Sequence, residues 1–188
     1  MAENSPQRVV VLGGGIGGQV AATRLKQKLG SAARVILIER STTFTFAPSL
    51  LWLMVGKRQP KTITRDYSGL SRSGVELVHE TVTGIDTSAS EVQTESGVVG
   101  YDHLVVALGA VLDPERIPGL SEHTHHPYDL PSAERLRDAL HRFTGGRVTV
   151  AIASLPYKCP AAPYETAMLI DGYLRQRGIR DVSQIAMY

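Results

Sequence analysis

The chain contains one cysteine, Cys159, and its surroundings predict a reactive thiol. An apolar run typical of a buried strand, Val148–Ala153, precedes it, and a stretch typical of a helix begins near Tyr164. The N-terminal end of a helix and the positive charge of Lys158 both favour a thiolate over a thiol. The carboxylate of Glu165 disfavours the negative charge of a thiolate, but it is suited to accept a proton. We therefore predict Cys159 and Glu165 as catalytic residues, with a buried, inert thiol as the alternative for Cys159.

The loop that contains Cys159 lacks the glycines and several of the backbone N–H groups of a nucleotide-binding loop. In α/β proteins a glycine-rich phosphate loop often lies between a strand and the helix that follows it. Here the stretch SLPYKCPAAPYE holds Pro156, Pro160 and Pro163, and prolines have no N–H to donate to a phosphate. We therefore do not expect tight NAD(P)H binding at this position.

A glycine-rich phosphate loop is present near the start of the chain instead. Gly13, Gly15 and Gly18 satisfy the G-x-G-x-x-G pattern, and Glu39 follows Gly18 by 21 residues. The glycines would allow a tight turn, close approach of a pyrophosphate and close packing of the helix, while Glu39 would accept hydrogen bonds from a ribose. The pattern predicts a dinucleotide site, and a glycine-rich turn without a ligand is the alternative.

The elements around these glycines predict a parallel sheet. A strand over Arg8–Leu12, a helix over Ile16–Leu29 and a strand over Val35–Ile38 form a βαβ unit. Further strands are expected in the rest of this half: a third parallel strand at Val75–Val78, a short antiparallel meander at Thr81–Asp86, Glu91–Thr94 and Gly97–Tyr101, and a returning buried strand at Leu104–Ala107.

The second half of the chain begins with a linker, Val111–Pro127. We then expect a helix over Ser132–Phe143, the strand before Cys159, a helix from about Tyr164 to Arg177 and a last strand at Ser183–Tyr188. The predicted fold class is α/β: a Rossmann-like FAD-binding parallel sheet with an antiparallel β-meander, in residues 1–112, and the opening βαβ of a second Rossmann-like domain, in 113–188. Two strands with one helix leave a sheet uncovered, so we expect a fragment of a longer protein or a chain that needs a partner.

Composition excludes several other classes of protein. Of 188 residues 43% are hydrophobic and 20% charged, and a net charge of +2 does not favour nucleic-acid binding. One cysteine excludes an internal disulfide framework, and the histidines His123, His125 and His126 match no zinc spacing, so no metal site is expected. The polar start of the chain is not typical of a secretory signal, and Leu50–Val55 is too short to span a bilayer. We expect a cytoplasmic or peripheral membrane location.

Several motifs resemble one family. YDHLVVALGA, residues 101–110, resembles the strand that returns to the flavin in flavoproteins of the glutathione-reductase type, except that Leu108 replaces the usual threonine. FTFAPS at 44–49 with Trp52 and Gly56, and PYKCP at 156–160, are similar to sulfide:quinone oxidoreductases and to the flavin subunit of flavocytochrome c sulfide dehydrogenase. The similarity extends over nearly all of residues 8–188.

The resemblance implies FAD as the cofactor. In addition to the three glycines and Glu39, it implies that Ile16, Arg40, Val82, Ala107 and Gly109 lie at the FAD, with the backbone of Val82 near the adenine. It also implies that Cys159 is redox-active above the flavin and works with a second cysteine outside this chain. The region matching Val111–Pro127 carries no cysteine, which favours flavocytochrome-like or more divergent branches.

The function implied is FAD-dependent oxidation of sulfide. Hydrosulfide would attack a disulfide of Cys159, or the Cys159 thiolate would engage the flavin directly, and electrons would pass to a quinone or a cytochrome c. Peripheral membrane contact through residues beyond this chain, and a dimer, are further expectations. Two alternatives remain: an NAD(P)H-dependent oxidoreductase of the type II NADH dehydrogenase kind, and an inactive flavin-binding fragment.

Overall fold

A computed structural model describes residues 5–188, which form two compact units. The first unit contains the chain up to Phe44 together with Thr64–Leu112, and the second contains Thr45–Ile63 and Asp113–Tyr188. The segment Thr45–Ile63 therefore belongs to the second unit, although in the sequence it lies between two segments of the first.

Both units contain strands and helices. The strands are β1 Gln7–Leu12, β2 Ala33–Ile38, β3 Thr43–Thr45, β4 Thr64–Asp66, β5 Glu76–Val78, β6 Val82–Asp86, β7 Glu91–Thr94, β8 Val98–Gly100, β9 His103–Val106, β10 Gly146–Val150 and β11 Ser183–Met187. The helices are α1 Ile16–Leu29, α2 Leu50–Met54, α3 Pro60–Ile63, α4 Ser68–Arg72, α5 Leu120–His123, α6 Leu130–Arg142 and α7 Ala162–Gln176.

The first unit is built on a four-stranded sheet in the order β5-β2-β1-β9. Its three strand pairs are parallel, and Leu12 lies opposite Ile38 on one side and Val106 on the other. Strands buried on both faces read as continuous apolar runs, as in the VVVL of β1. The prediction of a parallel sheet that starts with a βαβ unit is confirmed.

Two apolar clusters cover the two faces of this sheet. Val9 and Val11 pack with Ala22 of α1, whereas Val10 and Leu12 pack with Val92 of the strand β7. The strands β6, β7 and β8 form the antiparallel meander that the sequence predicted. The unit thus has three layers, with α1 and the meander on opposite faces of the sheet.

The second unit contains the predicted second βαβ motif. The strands β10 and β11 pair in parallel, and α7 connects them. Ile170 and Leu174 of α7 pack with Leu140 of α6 and with Leu51 and Met54 of α2. The apolar face of α2 explains why the segment from Thr45 to Ile63 belongs to this unit.

Several predicted boundaries were wrong. The helix α6 begins at Leu130 and not at Ser132, because the Asp129 carboxylate caps it by accepting the Ser132 N–H at 2.8 Å. The helix α7 begins at Ala162 and not at Tyr164, since proline is tolerated in a first helical turn. The strand β10 ends at Val150 and not at Ala153.

Candidate functional site

The predicted dinucleotide turn lies between β1 and α1. The N–H of Gly13 donates to the carbonyl of Ile38 at 2.9 Å, and its φ of +94° lies in the region that favours glycine. A Cβ on Gly13 would lie 2.5 Å from the carbonyl oxygen of Ala107, just after β9. The turn is therefore fixed against the ends of two neighbouring strands.

Gly18 determines how closely α1 approaches this turn. A Cβ on Gly18 would lie 1.8 Å from the carbonyl oxygen of Gly13, which leaves no space for any side chain. Gly18 is also one of the two buried residues of α1, with Ala22. The close packing of helix and strand expected for the last glycine of the motif is present.

Gly15 faces open space at the start of α1. Apart from Gly15 itself and its two neighbours in the chain, no described residue has an atom within 4 Å of a Cβ built on it, and Gly15 is the N-cap residue of the helix. The first N–H groups of a helix have no partner within the helix, and its dipole is positive there. An unobstructed backbone beside such N–H groups fits the pyrophosphate of a dinucleotide.

Glu39 is held beside the same turn at the end of β2. Its carboxylate accepts the N–H of Gly14 at 2.6 Å and the N–H of Ser41 at 2.8 Å. A carboxylate has about four lone-pair positions, so it retains capacity for ribose hydroxyls. The turn and the acidic residue, which are distant in sequence, form one constellation.

Tyr67 completes this constellation, and the sequence did not indicate it. Its side-chain hydroxyl donates to the carbonyl of Gly14 at 3.1 Å, and the residue is 5% exposed. Burial, together with the charge of Glu39, raises the pKa of Tyr67 to about 12. The phenol therefore stays protonated and acts as a donor at neutral pH. A lone tyrosine in a polar stretch carries no motif that could have identified it.

The remaining residues expected at the cofactor differ in their placement. Ala107 follows β9 and donates its N–H to the carbonyl of Leu12 at 2.8 Å, so it lies at the turn. Gly109 follows shortly after and has a φ of +75°. Ile16 and Arg40 are exposed, and Val82 begins β6 partly buried against the sheet. Contact of these residues, of the motif glycines and of Glu39 with a cofactor stays a prediction.

Cys159 lies in the loop between β10 and α7 and is exposed. Its φ of +59° is left-handed, which is uncommon for a residue with a side chain. Its carbonyl accepts the N–H of Ala162 at 3.0 Å, so the loop turns directly into the helix. The Lys158 ammonium lies 5.9 Å from the ring centroid of Tyr128.

Glu165 lies in the first turn of α7 and is half-buried. Its N–H donates to the carbonyl of Ala161 at 3.0 Å, which places the residue firmly in the helix. The catalytic roles of Cys159 and Glu165 stay predictions.

Two features are absent from the described residues 5–188. Within this range, His, Cys, Asp and Glu side chains form no group of three that could hold a metal ion. Within the same range, no helix has the length and apolar character needed to cross a bilayer.

The fold and the glycine turn define a dinucleotide-binding protein, and comparison with known proteins specifies the family. A family model described as pyridine nucleotide-disulphide oxidoreductase matches residues 7–154. The chain therefore belongs to this family, whose cofactor is FAD. A second model, described as the central part of the sulfide dehydrogenase [flavocytochrome c] flavoprotein chain, matches residues 133–187.

Individual relatives agree with the resemblance seen in the sequence. Mitochondrial sulfide:quinone oxidoreductase of Mus musculus is 32% identical over 185 residues, which is 94% of this chain and 40% of that protein. The alternative NAD(P)H-ubiquinone oxidoreductase C1 of Arabidopsis thaliana is 29% identical over 94% of this chain and 38% of its own length. The crystal structure of sulfide:quinone oxidoreductase from Aquifex aeolicus has 29% identity and a TM-score of 0.87 over 96% of this chain and 42% of that one.

These figures confirm the predicted family resemblance and the FAD-binding α/β fold. They also show that the chain spans about two fifths of the length of these relatives.

Proposed function

We propose that this chain supplies the FAD-binding turn and one redox-active cysteine of an enzyme that oxidises sulfide. The observation that carries the proposal is the exposed thiol of Cys159 between β10 and α7. This loop lies within residues 133–187, the part that matches the sulfide dehydrogenase flavoprotein model.

The glycine turn would hold the FAD. Backbone N–H groups at the start of α1 would bind the pyrophosphate beside Gly15, and the Glu39 carboxylate would accept hydrogen bonds from the ribose. When bound, FAD accepts two electrons and releases them together to a quinone or singly to a haem. That capacity suits sulfide oxidation, which yields two electrons.

Cys159 would form the bond to the substrate sulfur. Hydrosulfide attacks a disulfide between Cys159 and a partner cysteine outside this chain, the partner leaves as a thiolate, and Cys159 retains a persulfide. Glu165, in the first turn of the helix that follows, is proposed to accept the proton that sulfide loses. The exposure of Cys159 supports this role, because a dissolved substrate can reach the residue.

The acceptor and the location are part of the same proposal. Quinone is the acceptor named for the mouse and Aquifex relatives, and a quinone dissolves in a membrane, so we propose a peripheral membrane location. A cytochrome c acceptor, a dimer and a cytoplasmic location stay predictions from the sequence.

The test is anaerobic mixing of the complete, FAD-loaded protein with sulfide while the flavin absorbance is followed. We expect bleaching by sulfide in the wild type and its loss in Cys159→Ser, which replaces sulfur by oxygen at nearly constant volume. Thr166→Ser, a matched change on α7 after the loop, should bleach as the wild type does. A flavin that stays oxidised, or equal bleaching in Cys159→Ser, would contradict the proposal.

A second candidate function is NAD(P)H oxidation. The NAD(P)H-ubiquinone oxidoreductase of Arabidopsis matches 94% of this chain, which favours it. The prolines at 156, 160 and 163 count against it, because they remove N–H groups from the loop where a second dinucleotide would lie.

Bleaching of the flavin by NADH and not by sulfide, under the same anaerobic conditions, would favour NAD(P)H oxidation. An absorbance spectrum of the purified chain without flavin bands would favour an inactive fragment.

A further inference from the structure

The side chain of Tyr128 contacts the residue next to Cys159 at two points. Its hydroxyl donates to the carbonyl of Lys158 at 3.0 Å. Its ring centroid lies 5.9 Å from the Lys158 ammonium, within the range of a cation–π interaction. Both the backbone and the side chain of Lys158 are therefore restrained by one tyrosine.

Cys159 needs such a restraint because its backbone is left-handed, with a φ of +59°. A residue with a Cβ leaves this region unless its surroundings hold it there. On the C-terminal side the carbonyl of Cys159 is held by the Ala162 N–H at 3.0 Å. On the N-terminal side the hydrogen bond from Tyr128 holds the adjoining Lys158.

Tyr128 is itself anchored to the start of α6. The next residue, Asp129, caps that helix through the Ser132 N–H. The N–H of Tyr128 donates to Nδ1 of His126 at 3.4 Å, and its ring packs against the apolar cluster that contains Leu140. The loop is thus connected through Tyr128 to a helix that lies well before it in the sequence.

Tyr128 and the thiol also interact electrostatically. Burial raises the pKa of Tyr128, and the negative charges of Cys159 and Tyr157 raise it further. The phenol therefore remains a hydrogen-bond donor at neutral pH.

We propose that Tyr128 is a positioning residue that holds the Lys158–Cys159 backbone so that the thiol is presented in one orientation to its reaction partner. This inference rests on the proposed function for the identity of that reaction. The hydrogen bond to Lys158 and the ring beneath its ammonium are the contacts that carry it.

The first test is amide hydrogen exchange of the loop in the full chain. Tyr128→Phe keeps the ring and removes only the hydroxyl. We expect exchange of the loop amides and of Ala162 to become about fivefold faster or more, because the loop opens more often. The matched control is Tyr173→Phe, a half-buried tyrosine of the same apolar cluster with the Arg177 guanidinium 5.6 Å from its ring. Loop exchange in Tyr128→Phe within about twofold of the wild type overturns the proposal.

The second test measures the mobility of the side chain at position 159. Cys159 is the only cysteine, so a nitroxide label attached to its thiol reports on this one position. In Tyr128→Phe the electron paramagnetic resonance spectrum should show a more mobile label than in the wild type, because the loop backbone has lost the hydrogen bond to Lys158. Tyr173→Phe should give the wild-type spectrum. Label mobility in Tyr128→Phe equal to that in the wild type overturns the proposal.

A third measurement separates this proposal from the proposed function. In the complete, FAD-loaded protein, Tyr128→Phe should lower the limiting rate of flavin bleaching by sulfide about tenfold, with the half-saturating sulfide concentration unchanged. Equal limiting rates in Tyr128→Phe and wild type overturn the positioning role. If sulfide bleaches neither protein, the proposed function fails, while hydrogen exchange and the mobility of the label at Cys159 still decide whether Tyr128 holds the loop.

Discussion

The backbone N–H of Gly14 donates a 2.6 Å hydrogen bond to Oε2 of Glu39, 25 residues further along the chain. The Tyr67 hydroxyl donates to the carbonyl of the same glycine at 3.1 Å. Both polar backbone groups of Gly14 are therefore bound by side chains from other elements of the first unit. The glycine turn is held in shape by the protein itself, so a dinucleotide would meet a preformed site.

The first prediction concerns the stability that Glu39 confers. Glu39→Ala leaves the N–H groups of Gly14 and Ser41 without their acceptor. We expect the free energy of unfolding of the full chain, measured in urea, to fall by about 2 kcal/mol. Glu95→Ala, at an exposed position after β7, should change it by less than about 0.5 kcal/mol. Equal losses in the two variants would show that the Glu39 hydrogen bonds contribute nothing.

The second prediction is a pH dependence that arises from Tyr67. In the folded state its pKa is about 12, whereas an unfolded tyrosine titrates near about 10. Between these values the unfolded chain loses the proton first, so the contribution of Tyr67 is complete below about pH 10 and is lost as the pH rises towards 12.

Tyr67→Phe tests that dependence. The variant lacks the hydrogen bond to the Gly14 carbonyl and should be less stable than wild type by about 1 kcal/mol at pH 7. Urea unfolding at intervals from pH 7 to 12 should show this deficit shrinking above about pH 10, because only the wild type carries the titrating phenol. A deficit that stays constant over the whole range would mean that the phenol has the same pKa in both states.

The third prediction separates folding from cofactor binding. Gly15 has φ −66° and ψ −177°, which alanine adopts without strain, and no described residue beyond its two chain neighbours has an atom within 4 Å of an added Cβ. Gly15→Ala should leave the melting temperature unchanged. It should weaken FAD binding to the complete protein by about tenfold or more, because the Cβ occupies the space that the pyrophosphate needs.

Gly17→Ala is the matched control for that prediction. Gly17 lies in the first turn of α1 and also has open space around an added Cβ. It is not one of the motif glycines, so flavin fluorescence titration should give an affinity close to that of the wild type. If Gly15→Ala binds FAD as tightly as Gly17→Ala does, the pyrophosphate does not lie at Gly15.

The sequence predicted those parts of the fold that depend on local pattern. The apolar runs of β1 and β2 and the glycines between β1 and α1 are properties of consecutive residues, so the first βαβ unit could be predicted almost to the residue. The second βαβ unit could be predicted in the same way. The starts of α6 and α7 were displaced because Asp129 was not recognised as an N-cap and Pro163 was not recognised as a first-turn residue.

The sequence did not predict contacts between residues that are far apart along the chain. Tyr67 reaches a glycine 53 residues away, and Tyr128 reaches a lysine 30 residues away. No periodicity or spacing marks either tyrosine, because each acts through one hydroxyl at one atom. The packing of α2 against α6 and α7 could not be predicted either. The apolar leucines of α2 indicate that the helix is buried, but they do not indicate which elements bury it.

The last prediction concerns the contact between the C-terminal ends of α6 and α7. The Arg177 guanidinium donates to the carbonyls of Leu140 at 2.6 Å and Phe143 at 2.7 Å, at the negative end of α6. Arg177→Met keeps an unbranched apolar stem and removes both hydrogen bonds. Urea unfolding should show that the free energy of unfolding falls by about 2 kcal/mol, whereas Arg177→Lys, which keeps a charged donor group, should lose less.

Arg175→Met is the matched control: it breaks an exposed ion pair with Asp171 and should lower the free energy of unfolding by less than about 1 kcal/mol. Equal losses at Arg177 and Arg175 would show that the helix end gains nothing from the guanidinium.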